Sequence, residues 1–234
     1  MLRLEAVTIA TLATLSIALQ APDAQTVVTG DSVLREMRMT GLESAPFVQD
    51  TQGVLTPENA NEARLNRLQP PDEVMGAIGI RPGMVGAEIG AGHGRYVVQL
   101  AVRVGESGKI YAEDIDAAAL RYLEGRCARW GLDNVETIVG DVTDPKLPEG
   151  ELDFIFVISA YHHFDDPVAL LRNARASLKP DGMLAIGEWL QSTAPEELQA
   201  EMEAAGYRLE RTETFLEANG LYIYIFRIDE AERD

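Results

Sequence analysis

The chain has a single cysteine, Cys127, and a lone thiol excludes an internal disulfide and a Cys-rich zinc site. Histidine is nearly as scarce. His93, His162 and His163 are the whole supply, which argues against a dedicated metal centre. Positive charge is what the sequence lacks most. Twenty Lys and Arg face 38 Asp and Glu, for a formal charge of −18. A nucleic-acid binder needs a basic surface to displace counterions from phosphates, so the charge argues against DNA or RNA as partner. No apolar run reaches the roughly 20 residues of a membrane-spanning helix. No internal repeat or low-complexity tract stands out.

What is present suits one domain of the larger kind, or one domain with an N-terminal extension. Hydrophobic residues make up 46% of 234 positions, enough for a substantial core. Residues 6–19, AVTIATLATLSIAL, form an uncharged, largely apolar run after Arg3. Its length matches the apolar region of a secretory signal, about 7–15 residues. Against that, Glu5 offsets Arg3, and cutting after Ala21 would leave Pro22 next. A membrane-resting amphipathic helix and a packed helix are the other readings. The expectation is an export or membrane-targeting segment over 1–24 and a turn-rich linker over 25–56. A folded domain over 57–229 follows, with helices in 57–80 forming a lid.

From Thr56 the pattern becomes regular. Thr56-Pro57-Glu58 predicts a helix to about Leu68 with proline at its first position, and Pro70-Pro71-Asp72 a second over 72–78. Strands and helices then alternate: a strand over 84–90, a helix over 95–104 and a strand over 109–114. Next comes a helix capped by Asp116 that runs to Trp130 and is closed by Gly131. Strands follow over 135–140 and 152–159. The second is almost continuously apolar, as in a strand buried on both faces. A helix from Pro167 to about Leu178, a Lys179-Pro180-Asp181-Gly182 turn, a strand over 183–189 and a helix over 195–205 complete the series. Residues 207–215 and 221–228 alternate with period two around Gly220 and predict an antiparallel hairpin.

Repeated strand–helix units imply an α/β, doubly wound, mostly parallel sheet with helices on both faces. Ligands in such sheets sit beyond the carboxyl ends of the strands. The chemistry is therefore expected after Gly90, Asp114, Gly140, Ser159 and Glu188.

EIGAGHG (88–94) joins an apolar strand to a helix. Glycines there allow a sharp turn and close approach of a ligand, and free amides at the helix start favour an anion. The spacing is G-x-G-x-G over Gly90, Gly92 and Gly94, whereas a dinucleotide fingerprint is G-x-G-x-x-G. The next strand ends in Glu113-Asp114, where a carboxylate can accept ribose hydroxyls. The one after ends in Gly140-Asp141-Val142, where a carboxylate can take an adenine amino group. The plainer alternatives are a tight turn for the glycines and a turn former for Asp141.

Residues 70–228 resemble the class I S-adenosylmethionine-dependent methyltransferases, and within them the "type 11" group that includes the ubiquinone/menaquinone methylases. The matching pieces are EIGAGHG, YAEDID, VGDVTDPKLPEG, LDFIFVISAYHHFDDP and LLRNARASLKPDGMLAIGE. The resemblance implies a Rossmann-like seven-stranded sheet of order 3-2-1-4-5-7-6. It also implies S-adenosylmethionine as cofactor and a small-molecule acceptor methylated on oxygen or carbon. Glu88, Gly90, Ala91, Gly92 and Gly94 would hold the methionine part. Asp114 would bind the ribose, with Ile115 against the adenine and Asp141 and Val142 at its edge and face. Ser159 and Ala160 would flank the methyl group, and Arg64 and Arg67 would reach the donor carboxylate. Glu113 departs from the apolar residue usual in the family. This leaves open which of Glu113 and Asp114 faces the ribose; register favours Asp114.

On the acceptor side, Tyr161-His162-His163-Phe164 follows the fourth strand. Histidine is the side chain that titrates nearest neutrality. His162 is the expected base, with His163 the alternative and mere loop ordering a third reading. Tyr161 would line the pocket or donate a hydrogen bond. Glu188 would face the acceptor or lie solvated at a strand end. A nicotinamide-dependent oxidoreductase and a non-catalytic S-adenosylmethionine-binding module are the competing functions. Location stays open. The signal-like start suggests export or membrane association, and a donor kept in the cytosol suggests the cytoplasm.

Overall fold

A computed structural model describes residues 57–229, and the expectations for 1–56 lie outside the described residues. The seven strands are β1 (Val85–Ile89), β2 (Lys109–Asp114), β3 (Val135–Val139), β4 (Leu152–Ile158), β5 (Leu178–Trp189), β6 (Tyr207–Glu213) and β7 (Leu221–Ile228). The α-helices are α1 (Ala60–Leu68), α2 (Pro71–Ile78), α3 (Val97–Val104), α4 (Ala117–Trp130), α5 (Pro167–Ala174) and α6 (Pro195–Ala204). The sheet order is β3-β2-β1-β4-β5-β7-β6. Neighbours from β3 through β5 are parallel, and β7 is antiparallel between β5 and β6. The order reverses between β1 and β4, which puts the switch point of the sheet at their carboxyl ends.

Two apolar layers cover the sheet. β4 shows why its sequence is continuously apolar: Phe154, Phe156 and Ile158 point into one layer, Ile155 and Val157 into the other. The first layer packs α2, α3 and α4 against the sheet, and Cys127 is buried in it. The second packs α5 and α6. Asp116 caps α4 with side-chain bonds from the amides of Ala118 and Ala119, and Gly131 ends it in the left-handed conformation. Among the described residues no helix is long and apolar enough to cross a membrane.

Several boundaries move for local reasons. Helix α1 begins at Ala60, not Pro57, because the Asn59 side chain accepts from the amides of Asn61 and Glu62 and so fixes the cap there. Helix α3 begins at Val97, since Arg95 and Tyr96 still belong to the turn after β1. Helix α5 ends at Ala174 and tightens into a 3₁₀ turn, Arg175–Ser177, that delivers the chain to β5 at Leu178. The expected Lys179–Gly182 turn is instead an irregularity inside β5. That strand advances from Leu178 to Met183 while its partner advances only from Leu152 to Phe154. Proline is tolerated there because the ladder is already broken.

Candidate active site

The tips of β1, β2 and β4 meet around the glycine turn. Glu88, on β1, is 4% exposed, and its Oε2 has no hydrogen-bond partner. Burial pushes its carboxyl up to about 8. Nearby Asp114 adds to the rise, while Arg95 and the Val97 amide oppose it. A buried, half-satisfied acid at this point is a ready partner for a cationic ligand group.

Gly90 enters the turn with φ +77°, and a Cβ there would sit 2.7 Å from the Ala160 Cβ, so the β1 and β4 tips touch through a bare backbone. The amides of Gly90 and Ala91 both donate to the Glu113 carbonyl, at 2.9 Å each. Asp114 Oδ2 accepts from the Gly92 amide at 2.7 Å, and its Oδ1 accepts from the Asp116 amide at 2.8 Å. Asp114 is thus the β2-tip acid that faces the glycine turn.

Glu113 projects from the opposite face of β2, with its carboxyl beside the Gly90 amide and Gly140. It is 2% exposed, and burial, with Asp114 next, pushes its carboxyl up to about 8. Its Oε1 occupies the space beside Gly140, where any Cβ would lie 1.9 Å away. The unusual acid and the glycine across from it therefore belong together.

At the β3 tip, Asp141 and Asp144 exchange backbone hydrogen bonds, and Asp141 Oδ2 pairs with Lys146 Nζ at 2.7 Å. Asp141 is exposed and forms a turn, outside the hydrogen-bonded set of Asp114 and Gly92. Ile115 and Val142, at the same two tips, leave large apolar side chains 62% and 44% exposed.

Helices α1 and α2 reach the site through a residue the sequence did not signal. Gln69, fully buried between α1 and α2, donates from Nε2 to Ser159 Oγ at 2.6 Å. Its Oε1 accepts from Arg95 Nη2, and its carbonyl accepts from the Tyr96 hydroxyl. A buried glutamine after a helix is the only local trace of this role. Arg64 and Arg67 are exposed, and Arg64 bonds Asn61; Arg95, which also holds Asn66, is the arginine beside Glu88. His93 is exposed, with its ring 4.7 Å from that of Tyr122.

Ser159 has φ +53°, a left-handed conformation uncommon outside glycine, and its amide donates to the Gly187 carbonyl. The following turn, Tyr161–His163, separates its three side chains. Tyr161 is buried in the α5–α6 layer, where its hydroxyl donates to the Glu201 carboxylate. Burial holds that hydroxyl far above its ordinary range. His162 places Nδ1 2.9 Å from Glu188 Oε1, while His163 is exposed with its ring 4.0 Å from that of His162. Glu188 is 1% exposed, which overturns the solvated strand-end alternative. Among the described residues no group of three His, Cys, Asp or Glu is arranged to hold a metal.

The family described as "Methyltransferase domain" matches residues 87–182, from the core of β1 into β5. A SAM-dependent methyltransferase structure from Aquifex aeolicus superposes with TM-score 0.63 at 28% identity. It covers 72% of this chain and 98% of that one. The chain carries a class I S-adenosylmethionine-dependent methyltransferase domain.

Nocamycin O-methyltransferase of Saccharothrix syringae is 33% identical over 107 residues, 45% of this chain and 38% of that protein. Demethylmenaquinone methyltransferase of Staphylococcus aureus is 25% identical over 122 residues, 52% of this chain and 50% of that protein. The chain thus spans half or less of the length of these curated relatives. The cofactor of a methyltransferase domain of this kind is S-adenosylmethionine, which retires the nicotinamide alternative. The residues fit that cofactor: Glu88 offers an unpartnered buried oxygen, and Ile115 and Val142 offer uncovered apolar surface.

Proposed function

We propose that this protein moves the methyl group of S-adenosylmethionine to a small-molecule acceptor, on oxygen or carbon. The observation that carries this reading is the set at the strand tips. Glu88 and Asp114 flank a glycine turn whose backbone lies bare, and Ile115 and Val142 carry exposed apolar side chains just after β2 and β3. Glu88 and the Gly90–Gly94 turn would hold the amino-acid part of the donor. Asp114 would accept the ribose hydroxyls, exchanging its Gly92 contact for them. Ile115 and Val142 would cover the adenine, with Asp141 at its edge. Ser159 and Ala160 would stand nearest the methyl carbon; the left-handed backbone at Ser159 is the kind of local strain that clusters at functional sites.

Bound donor supplies an already activated methyl group on a positively charged sulfur. The chain's work is therefore position and field rather than bond-making by the protein. The charge of −18 speaks against nucleic acid as acceptor. Relatives whose names specify nocamycin O-methylation and demethylmenaquinone methylation point toward a small acceptor.

The test is incubation of the full chain with methyl-labelled S-adenosylmethionine and a panel of small phenols, enols and activated carbon acids. Label should pass to at least one acceptor, with matching release of demethylated donor. Donor binding with no transfer to any panel member would favour a non-catalytic binding module instead.

A further inference from the structure

The β4 and β5 tips bring together two groups that donor binding does not use. The parallel register sets Ile158 beside Gly187, so the chain leaving β4 runs next to Glu188 near the end of β5. The turn Tyr161–His163 then folds His162 back over Glu188, and Nδ1 comes within 2.9 Å of Oε1. The same oxygen accepts from the Trp189 amide at 2.7 Å. Glu188 has its other oxygen buried without a partner, while the His162 side chain keeps 23% of its surface open.

A half-satisfied buried carboxylate is a poor choice for merely pinning a turn, because burial of such a group costs free energy that an apolar side chain would not. It is a good choice for fixing an imidazole. A carboxylate only accepts, so it holds the proton on Nδ1 and turns the lone pair of Nε2 away from itself.

We propose that Glu188 is a positioning residue that makes His162 the proton acceptor for an acceptor hydroxyl of phenolic or enolic acidity. This rests on the methyl-transfer reading above and names its substrate class. As the acceptor oxygen forms its bond to the methyl carbon, the carbon–sulfur bond breaks and its electron pair stays on sulfur. The hydroxyl proton passes to His162 Nε2. The imidazolium formed is neutralised by Glu188 beneath it and later releases its proton to water. An aliphatic alcohol holds its proton too tightly for an imidazole, which is why the class is limited to acidic hydroxyls. Around the pair stand the His163 ring from the same turn, Tyr161 with Glu197 and Glu201 of α6, and Tyr224 of β7.

The decisive readout needs no acceptor. In the ¹⁵N-labelled full chain, long-range proton–nitrogen correlation above neutral pH should show His162 protonated on Nδ1 and bare on Nε2. Glu188→Leu should abolish that preference. With substituted phenols as probes, His162→Asn should slow transfer at least about 100-fold and Glu188→Leu at least about tenfold. Glu188→Asp should recover part of the rate, and donor affinity should stay within about twofold throughout. The proposal is overturned if wild-type His162 carries its proton on Nε2, if Glu188→Leu moves neither tautomer nor rate, or if only non-hydroxyl acceptors are methylated. Failure of wild-type protein to bind S-adenosylmethionine would instead defeat the underlying methyl-transfer reading, with the tautomer still reporting on the pair.

Discussion

Arg126 on α4, its side chain wholly out of solvent, brings Nη2 to 2.6 Å from Glu62 Oε1 on α1. The same guanidinium lies 3.3 Å from Glu58, donates to the His93 carbonyl in the glycine turn, and rests 4.7 Å from the Trp130 ring. One buried cation therefore ties α1, the glycine turn and the helix after β2 into one unit. A buried ion pair adds little over well-packed apolar residues, but removing one partner strands the other. Glu62→Ala should cost about 3 kcal/mol in urea denaturation, and Arg126→Met in the same background should restore part of it. Equal stability of wild type and Glu62→Ala would show that the clasp carries no weight.

Glu113 makes stability depend on pH in an unusual direction. Its carboxyl rises from the ordinary 4.5 to about 8 in the folded protein, chiefly through burial. Between those values the native state keeps a proton that the unfolded chain has lost. This contribution is therefore fully present below about 4.5 and is lost as pH rises toward 8. Glu88 contributes with the same sign. Urea denaturation from pH 5 to 8 should show wild-type stability falling, with a shallower fall in Glu113→Gln. An identical slope in the two proteins would remove Glu113 as a source.

Gly90 and Gly92 both have positive φ but differ in their surroundings. A Cβ on Gly90 meets Ala160 at 2.7 Å, whereas one on Gly92, at φ +53°, meets nothing within 4 Å. Gly92→Ala should cost only the backbone term, about 1–2 kcal/mol. Gly90→Ala should cost clearly more and also weaken donor binding, since the β1 and β4 tips must part. Denaturation and calorimetry on the two variants check the order.

The sheet was legible because its signals are local. Asp116 and Gly131 mark the ends of α4, and the apolar run of β4 reports burial on both faces. The glycine turn and Asp114 were legible for the same reason. Missed features depend on partners far along the chain. Gln69 acquires its role from Ser159, 90 residues away, and Arg126 from Glu62, 64 residues away. Glu113 looks like an alternative ligand until Gly140 is seen to leave room for it. Lys179–Gly182 has turn composition, yet pairing of the strand on both sides absorbs it as a bulge. Tyr161, His162 and His163 are consecutive, and only the 3₁₀ turn sends them to a core layer, a buried acid and solvent.

Isothermal titration of the full chain with S-adenosylmethionine, in wild type and Asp114→Ala, goes straight to whether the donor is gripped at the β1 and β2 tips. Saturable binding is expected for wild type, with affinity lowered at least about tenfold by the substitution, or roughly 1.4 kcal/mol. Equal affinity in the two proteins, or no binding by wild type, would contradict it.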